Sequence, residues 1–172
     1  PHGPVVLTED GVGLPTPGAV LPRVGATLTA WGLALTRALM AAGARGVVDP
    51  DAVGLAQDKL GTTERLVRVG LPVVPTVAVR ERFHIDAALR AVGGAPVVLK
   101  LLTGTQGLTT SLAPDAASAR SALGTLVGLG HTVLVQPLIA PPAGQAARDL
   151  RVLVVAGEPL AACWRVAPPG EF

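Results

Sequence analysis

A strand-like apolar run that carries a lysine is the feature that most restricts how this chain can fold. The run from Val97 to Leu101 is apolar except for Lys100, and a glycine-rich loop at Thr103–Gly107 follows it. Removing an ammonium group from water is costly unless it meets an anion, so Lys100 indicates either an anion site or a solvated edge strand. Glycines let backbone N–H groups approach an anion, although the loop alone is more typical of a hairpin turn.

Apolar periodicity and Gly/Pro punctuation predict the elements around this strand. We predict helices over Thr27–Ala42, Lys59–Val69, Ile85–Val92 and Asp115–Val127. We predict strands over Ala19–Leu21, Gly46–Asp49 (or an extended link there), Val73–Arg80, Val97–Leu101, Leu108–Leu112, Thr132–Pro137, Leu150–Val155 and Leu160–Val166. Pro75 indicates that its strand lies at a sheet edge. Strand neighbours mixed with helical crossovers predict an α+β fold with a mostly antiparallel sheet, after an α/β-type front segment.

Composition argues against several function classes. Aromatic residues make up 2% of the chain and the basic residues are scattered, so neither a base-stacking platform nor a DNA-binding footprint is expected. The single cysteine, Cys163, excludes an internal disulfide and a multi-cysteine metal cage, which fits a reducing cytoplasm. The longest apolar helical stretch, between Arg23 and Arg37, is too short for a bilayer, so we expect no membrane partner.

The chain has only two lysines, Lys59 and Lys100, and both lie at junctions between elements. Lys59 follows a capping Asp58 at a predicted helix start, where a solvated first-turn residue is the simpler interpretation. Lys100 precedes its glycines, whereas a Walker loop places the lysine after them, so that motif is excluded. Taken together, the two lysines favour a shared phosphate group as their partner.

The order of several segments resembles the ATP-grasp ligases, and most closely their RimK-like group. The segments are DK, GLPVVPT, PVVLK, GTQG, VLVQPLI, RDLRVLVV and AACWRVA, in that order. The resemblance covers residues 13–172. It implies a two-lobe ATP-grasp domain over residues 58–172, preceded by an incomplete α/β N-terminal domain over residues 1–57.

The resemblance also implies a nucleotide site and a role for each matching residue. Lys59 and Lys100 would reach the phosphates, and Arg165 would act catalytically on the transferred phosphate or acyl group. The remaining residues implied to bind the nucleotide are Gly104, Thr105, Gln106 and Gly107 over the phosphates, Gln136, Pro137, Leu138 and Ile139 at the adenine, and Asp149 and Arg151 near ribose and substrate. The backbones of Leu138 and Ile139 would supply hydrogen bonds to the adenine.

Two departures from the family pattern bear on function. Pro137 stands where the family normally has a glutamate, and proline offers neither a carboxylate nor an N–H. The family's Mg²⁺ ligands match positions beyond Phe172, so we assign no metal ligand within the chain and expect it to be truncated before the metal-binding part.

The function implied is an ATP-dependent carboxylate–amine ligase that works through an acyl phosphate, with glutamate as the candidate amine. A peptide or protein C-terminus, a small amino acid and a carrier protein remain open as acceptors, as does a homo-oligomer. One alternative is a non-catalytic nucleotide-binding module or a fragment of such a ligase. The other is an interaction domain that binds no nucleotide.

Overall fold

The computed structural model describes residues 6–25, 28–102 and 109–168. Its helices are α1 (Thr29–Ala41), α2 (Pro50–Gln57), α3 (Lys59–Arg68), α4 (Ile85–Ala91) and α5 (Ala116–Gly128). Its strands are β1 (Ala19–Val20), β2 (Arg45–Gly46), β3 (Val77–Val79), β4 (Val97–Leu101), β5 (Thr110–Ala113), β6 (Val133–Pro137), β7 (Arg148–Val155) and β8 (Glu158–Val166). The predicted α+β class is confirmed.

The central sheet has the order β3-β6-β4-β5 and is antiparallel throughout. Alternate side chains of β4 and β6 enter one core together with residues of α4 and α5. The least exposed members of this core are Val79, Val97, Leu99, Ala119, Leu123, Val133 and Val135. β3 lies at an edge of the sheet, as Pro75 predicts.

The opposite face of the sheet carries the lysine. Because side chains alternate along a strand, Lys100 and Val98 point away from the face that holds Leu99. The same alternation in β6 places Gln136 with them, since Val98 pairs with Gln136 in the register. β4 lies between β6 and β5, so the interpretation of Lys100 as an edge-strand residue is wrong.

The front segment contains one helix that the sequence analysis missed. The strand or extended link predicted over Gly46–Asp49 overlaps β2 (Arg45–Gly46) only at Gly46, and α2 begins at Pro50. The Asp49 side chain accepts a hydrogen bond of 2.9 Å from the N–H of Asp51, and a proline is well suited to the first helical position. The Asp49-Pro50 pair could therefore have predicted the start of α2 from the sequence.

α3 begins at Lys59 as predicted. The Asp58 side chain accepts hydrogen bonds from the N–H groups of Leu60 and Gly61, each 3.0 Å long. Asp58 also ends α2, so one residue both closes one helix and caps the next. This arrangement fixes Lys59 at the first position of α3.

β7 and β8 form a long antiparallel hairpin that turns at Ala156 and Gly157, both of which have positive φ. The residues of both strands are exposed. None of the helices in the described ranges has the length and apolarity needed to cross a membrane.

Candidate functional site

Lys59 links the start of α3 to the end of β4. Its Nζ donates a hydrogen bond to the carbonyl oxygen of Leu101 at 3.0 Å and lies 3.5 Å from that of Leu102. The Lys59 residue is partly buried. The helix cap at Asp58 and these two carbonyls therefore hold one ammonium group directly beside the strand that carries Lys100.

The pKa of Lys100 is affected by its burial and by the charge of Lys59. Partial burial lowers the pKa of Lys100, and the positive charge of Lys59 lowers it further. A like charge acts on a pKa in this way only when the two groups are near each other. Because Lys59 Nζ is hydrogen-bonded to the carbonyl oxygen of Leu101, the residue after Lys100, the two lysines lie near each other, and an anion would relieve their mutual repulsion.

The glycine-rich loop begins and ends next to the lysines. Residues Gly104, Thr105, Gln106 and Gly107 lie outside the described residues. At the base of the loop, the N–H of Leu101 donates to the carbonyl oxygen of Thr109 at 2.9 Å. Thr110 is paired directly with Lys100 in the register. The segment therefore leaves and rejoins the sheet beside Lys100.

Gln136 lies on the same face of the sheet as Lys100, one diagonal step away. Lys100 pairs with Leu134, so Gln136 is its diagonal neighbour on β6, at about 7–8 Å. The Nε2 of Gln136 donates to Thr76 Oγ1 at 2.8 Å. Thr76 was not among the predicted site residues, although its place just before β3 could have indicated a cross-strand partner for Gln136.

The backbone after β6 is partly committed to the fold. The N–H of Leu138 donates to the carbonyl oxygen of Pro96 at 3.1 Å, so this N–H is already used within the fold. Ile139 is 72% exposed. Alternation along β6 places the side chain of Pro137 on the same side as Val135, towards the helix-covered core. A carboxylate at position 137 would consequently not face Lys100.

Asp149, Arg151 and Arg165 share one face of the β7–β8 hairpin. Asp149 is opposite Arg165 in the register, and two nitrogens of Arg165 contact its carboxylate at distances of 2.9 to 3.2 Å. Hydrogen bonding from Arg165, with the charges of Arg165 and Arg151, holds the pKa of Asp149 below its usual value. The same pairing raises the pKa of Arg165.

The described residues show no contact of this kind between the three hairpin residues and the lysines. Within residues 6–25, 28–102 and 109–168, no hydrogen bond or ion pair links Asp149, Arg151 or Arg165 to Lys59 or Lys100. In the same ranges, no three histidine, cysteine, aspartate or glutamate side chains lie close enough together to hold a metal ion. The described residues therefore contain no side-chain cluster that would hold a metal ion by itself.

Comparison with known proteins gives consistent matches. Residues 56–172 match the model of the RimK-like ATP-grasp domain family. A protein of Pseudoalteromonas atlantica (strain T6c / ATCC BAA-1087), named probable alpha-L-glutamate ligase 2, is 38% identical over 162 residues, which are 94% of this chain and 53% of that protein. The chain thus spans about half the length of this curated relative.

Solved structures agree on the fold. The RimK domain ATP-grasp protein of Sphaerobacter thermophilus DSM 20745 matches with a TM-score of 0.56 and 30% identity, over 69% of this chain and 45% of that one. The ADP complex of N5-carboxyaminoimidazole ribonucleotide synthetase matches with a TM-score of 0.59 over 88% of this chain and 38% of that one. Its identity is 16%, so this second similarity concerns the fold alone.

Proposed function

The chain belongs to the RimK-like ATP-grasp family, and we propose that the full-length protein is an ATP-dependent carboxylate–amine ligase. The observation that carries the proposal is the approach of Lys59 and Lys100 at the end of β4, beside the glycine-rich loop. We place the domain boundary between residues 57 and 58, where Asp58 ends α2 and caps α3.

The reaction has two steps. A carboxylate oxygen of the first substrate attacks the γ-phosphorus of ATP, the bond to the β–γ bridging oxygen breaks, and ADP leaves. The amine nitrogen of the second substrate then attacks the acyl phosphate carbon, loses a proton and expels inorganic phosphate. We propose glutamate as the amine because the matching relative is named a probable alpha-L-glutamate ligase. A protein or peptide C-terminus and a small molecule both remain open as the carboxylate.

The two lysines act on the phosphates. A triphosphate accepts charge-assisted hydrogen bonds from ammonium groups, each of which contributes about 1.5–3 kcal/mol. Lys59 is held by the Leu101 carbonyl before the nucleotide arrives, so little side-chain freedom is lost on binding. Residues Gly104–Gly107 would cover the β- and γ-phosphates and exclude water from the acyl phosphate.

The segment after β6 and the β7–β8 hairpin supply the remaining proposed roles, which are contacts to adenine, to ribose and to the transferred group. The adenine would lie along residues Gln136–Ile139, where the Leu138 carbonyl and the Ile139 backbone offer hydrogen-bonding groups. Asp149 and Arg151 would lie near ribose and substrate. Arg165, oriented by its two-pronged contact with Asp149, would stabilise charge that develops on the transferred group.

Phosphoryl transfer generally requires a divalent cation to neutralise charge on the phosphates, and we expect Mg²⁺ with the nucleotide. The described residues supply no carboxylate cluster for it, so we assign it no ligand here. We place the reaction in the cytoplasm, where ATP is supplied and the exposed Cys163 stays reduced.

The test is phosphate release from ATP by the full-length protein with glutamate and candidate carboxylates. We expect release that depends on Mg²⁺ and on both substrates. ATP binding without release would instead favour a non-catalytic nucleotide-binding module. Failure to bind ATP at all would favour an interaction domain.

A further inference from the structure

Two consecutive hydrogen bonds connect Gln136 on β6 to Thr76 and Val74, which precede β3. Val77 pairs with Val135, so the continued register brings Thr76 beside Gln136. Gln136 Nε2 donates to Thr76 Oγ1 at 2.8 Å, and Thr76 Oγ1 donates to the carbonyl oxygen of Val74 at 2.8 Å. Both Thr76 and Gln136 are partly buried.

The single hydroxyl hydrogen of Thr76 determines which atom donates in each of these two hydrogen bonds. A backbone carbonyl only accepts, so the contact with Val74 uses the one hydrogen that the hydroxyl can donate. The oxygen of Thr76 is then left as an acceptor, and the carboxamide of Gln136 must turn its NH₂ group towards it. Its Oε1 atom therefore points the other way, and among the described residues no hydrogen bond to it is present.

We propose that Thr76 sets the preference of the site for a 6-aminopurine nucleotide by fixing which end of the Gln136 carboxamide faces the purine. This inference rests on the proposed function, which places the purine at Gln136–Ile139. An acceptor at Oε1 matches the amino hydrogens at position 6 of adenine. It opposes the oxygen that a 6-oxopurine carries there, since two acceptors would then face each other.

The neighbouring residues make Gln136 the determinant. Pro137 has no N–H, and its side chain lies on the core side of β6 by alternation. The N–H of Leu138 is used by Pro96. Of the side chains at positions 136 and 137, only that of Gln136 lies on the same face of the sheet as Lys100, so its amide orientation decides which side-chain atom the purine edge meets. Thr76 does not touch the purine and acts as a positioning residue.

The experiment compares nucleotide affinities of the full-length protein by isothermal titration calorimetry. The probes are ATP and purine riboside triphosphate, which differ only in the amino group at position 6, with inosine triphosphate as a 6-oxo probe. The unchanged protein should prefer ATP over purine riboside triphosphate by about 5- to 10-fold, the effect of one hydrogen bond. Thr76→Val, which keeps the shape but removes the hydroxyl, should reduce that preference to about twofold or less. It should also weaken the discrimination against inosine triphosphate.

Two further variants separate positioning from a merely structural role. Thr76→Ser keeps the hydroxyl and should keep the full preference. Gln136→Glu placed in the Thr76→Val background should restore it, because both oxygens of a carboxylate accept whichever way the group turns. Loss of packing at position 76 would not be repaired by a change at position 136.

The outcomes are distinct. Full preference for ATP in Thr76→Val would overturn the inference while leaving the proposed function intact. If Thr76→Val does not fold, Gln136→Leu gives the answer, since its preference for ATP over purine riboside triphosphate should fall to about twofold or less. A retained preference in Gln136→Leu would overturn the inference as well. Absence of nucleotide binding in the unchanged protein would overturn the proposed function, and this inference with it.

Discussion

Lys59 and Lys100 approach each other at the end of β4, where the charge of one lowers the pKa of the other. The approach is built into the fold, because Nζ of Lys59 is hydrogen-bonded to the carbonyl oxygen of Leu101, the residue after Lys100. Two cations held together, with no carboxylate paired to either among the described residues, favour an anionic ligand. The phosphate groups of a nucleoside triphosphate carry enough negative charge, over a sufficient length, to contact both ammonium groups.

Replacing either lysine with methionine should weaken ATP binding by about 10- to 150-fold, because each change removes a charge-assisted hydrogen bond to phosphate. Methionine keeps most of the side-chain volume at both positions. Calorimetric titration of Lys59→Met and Lys100→Met measures the effect. Arg68→Ala is the matched control, since Arg68 lies in the last turn of α3 and pairs with Glu64 on the surface. Equal losses in all three variants would mean that general charge, and not the paired lysines, binds ATP.

The stability of the protein should respond to alkaline pH through Lys100. Its pKa in the folded protein lies below its unfolded value of about 10.4, so in the window just below pH 10.4 the unfolded chain binds more protons. The free energy of unfolding should therefore rise with pH in that window. Below the folded pKa the charged group opposes folding by a constant amount.

Urea titrations at pH 7 and pH 10 check this. The rise should be smaller in Lys100→Met, which should also be the more stable protein at pH 7 because it buries no ammonium group. The same slope with pH in both proteins would show that Lys100 is not the group responsible.

Arg165→Ala should lower the rate of phosphate release far more than it lowers ATP affinity, because we assign Arg165 to charge that develops during transfer. Steady-state kinetics with ATP binding measured separately gives the comparison. Arg148→Ala is the control on the same hairpin. Arg148 lies over the Trp164 ring at 4.7 Å, on the face opposite Asp149 and Arg165. A similar fall in rate in both variants would argue for general damage to the hairpin.

The sheet core should dominate stability. Leu99 is 1% exposed between the sheet and its helices, so Leu99→Ala should lower the free energy of unfolding by about 2–5 kcal/mol through lost burial and a cavity. Leu129→Ala, at a position that is 70% exposed, should change it by less than about 0.5 kcal/mol. Chemical denaturation of the two variants measures the difference. A loss below about 1 kcal/mol in Leu99→Ala would contradict the described core.

The sequence predicted the presence of every strand of the central sheet because their signals are local, although β3 covers only Val77–Val79 of the predicted Val73–Arg80 and β5 is Thr110–Ala113 instead of Leu108–Leu112. The run Val97–Leu101 became β4 with the predicted bounds, and the capping Asp58 correctly predicted the start of α3. α2 was missed because no element was predicted over Pro50–Gln57, although Asp49 and Pro50 form a helix start signal. Short front strands pair over two residues each, which leaves little periodicity to read.

The geometry of the candidate site depends on contacts between distant residues, which local patterns do not encode. The two lysines were singled out from their junction positions, but the carbonyl partner of Lys59 lies 42 residues away. The hydrogen bond between Thr76 and Gln136 spans 60 residues and follows from the register of β3 and β6 alone. The pairing of Arg165 with Asp149 likewise requires the hairpin register to be known.

The most direct test of the account uses the fact that these 172 residues contain only two lysines. Acetylation of each lysine by an amine-reactive ester is followed by peptide mass spectrometry, with and without saturating ATP. We predict that ATP slows the acetylation of Lys59 and Lys100 together, and that adenosine, which has no phosphates, protects neither. Unchanged acetylation rates at both lysines in an ATP-saturated protein would contradict the claim that they bind the phosphates.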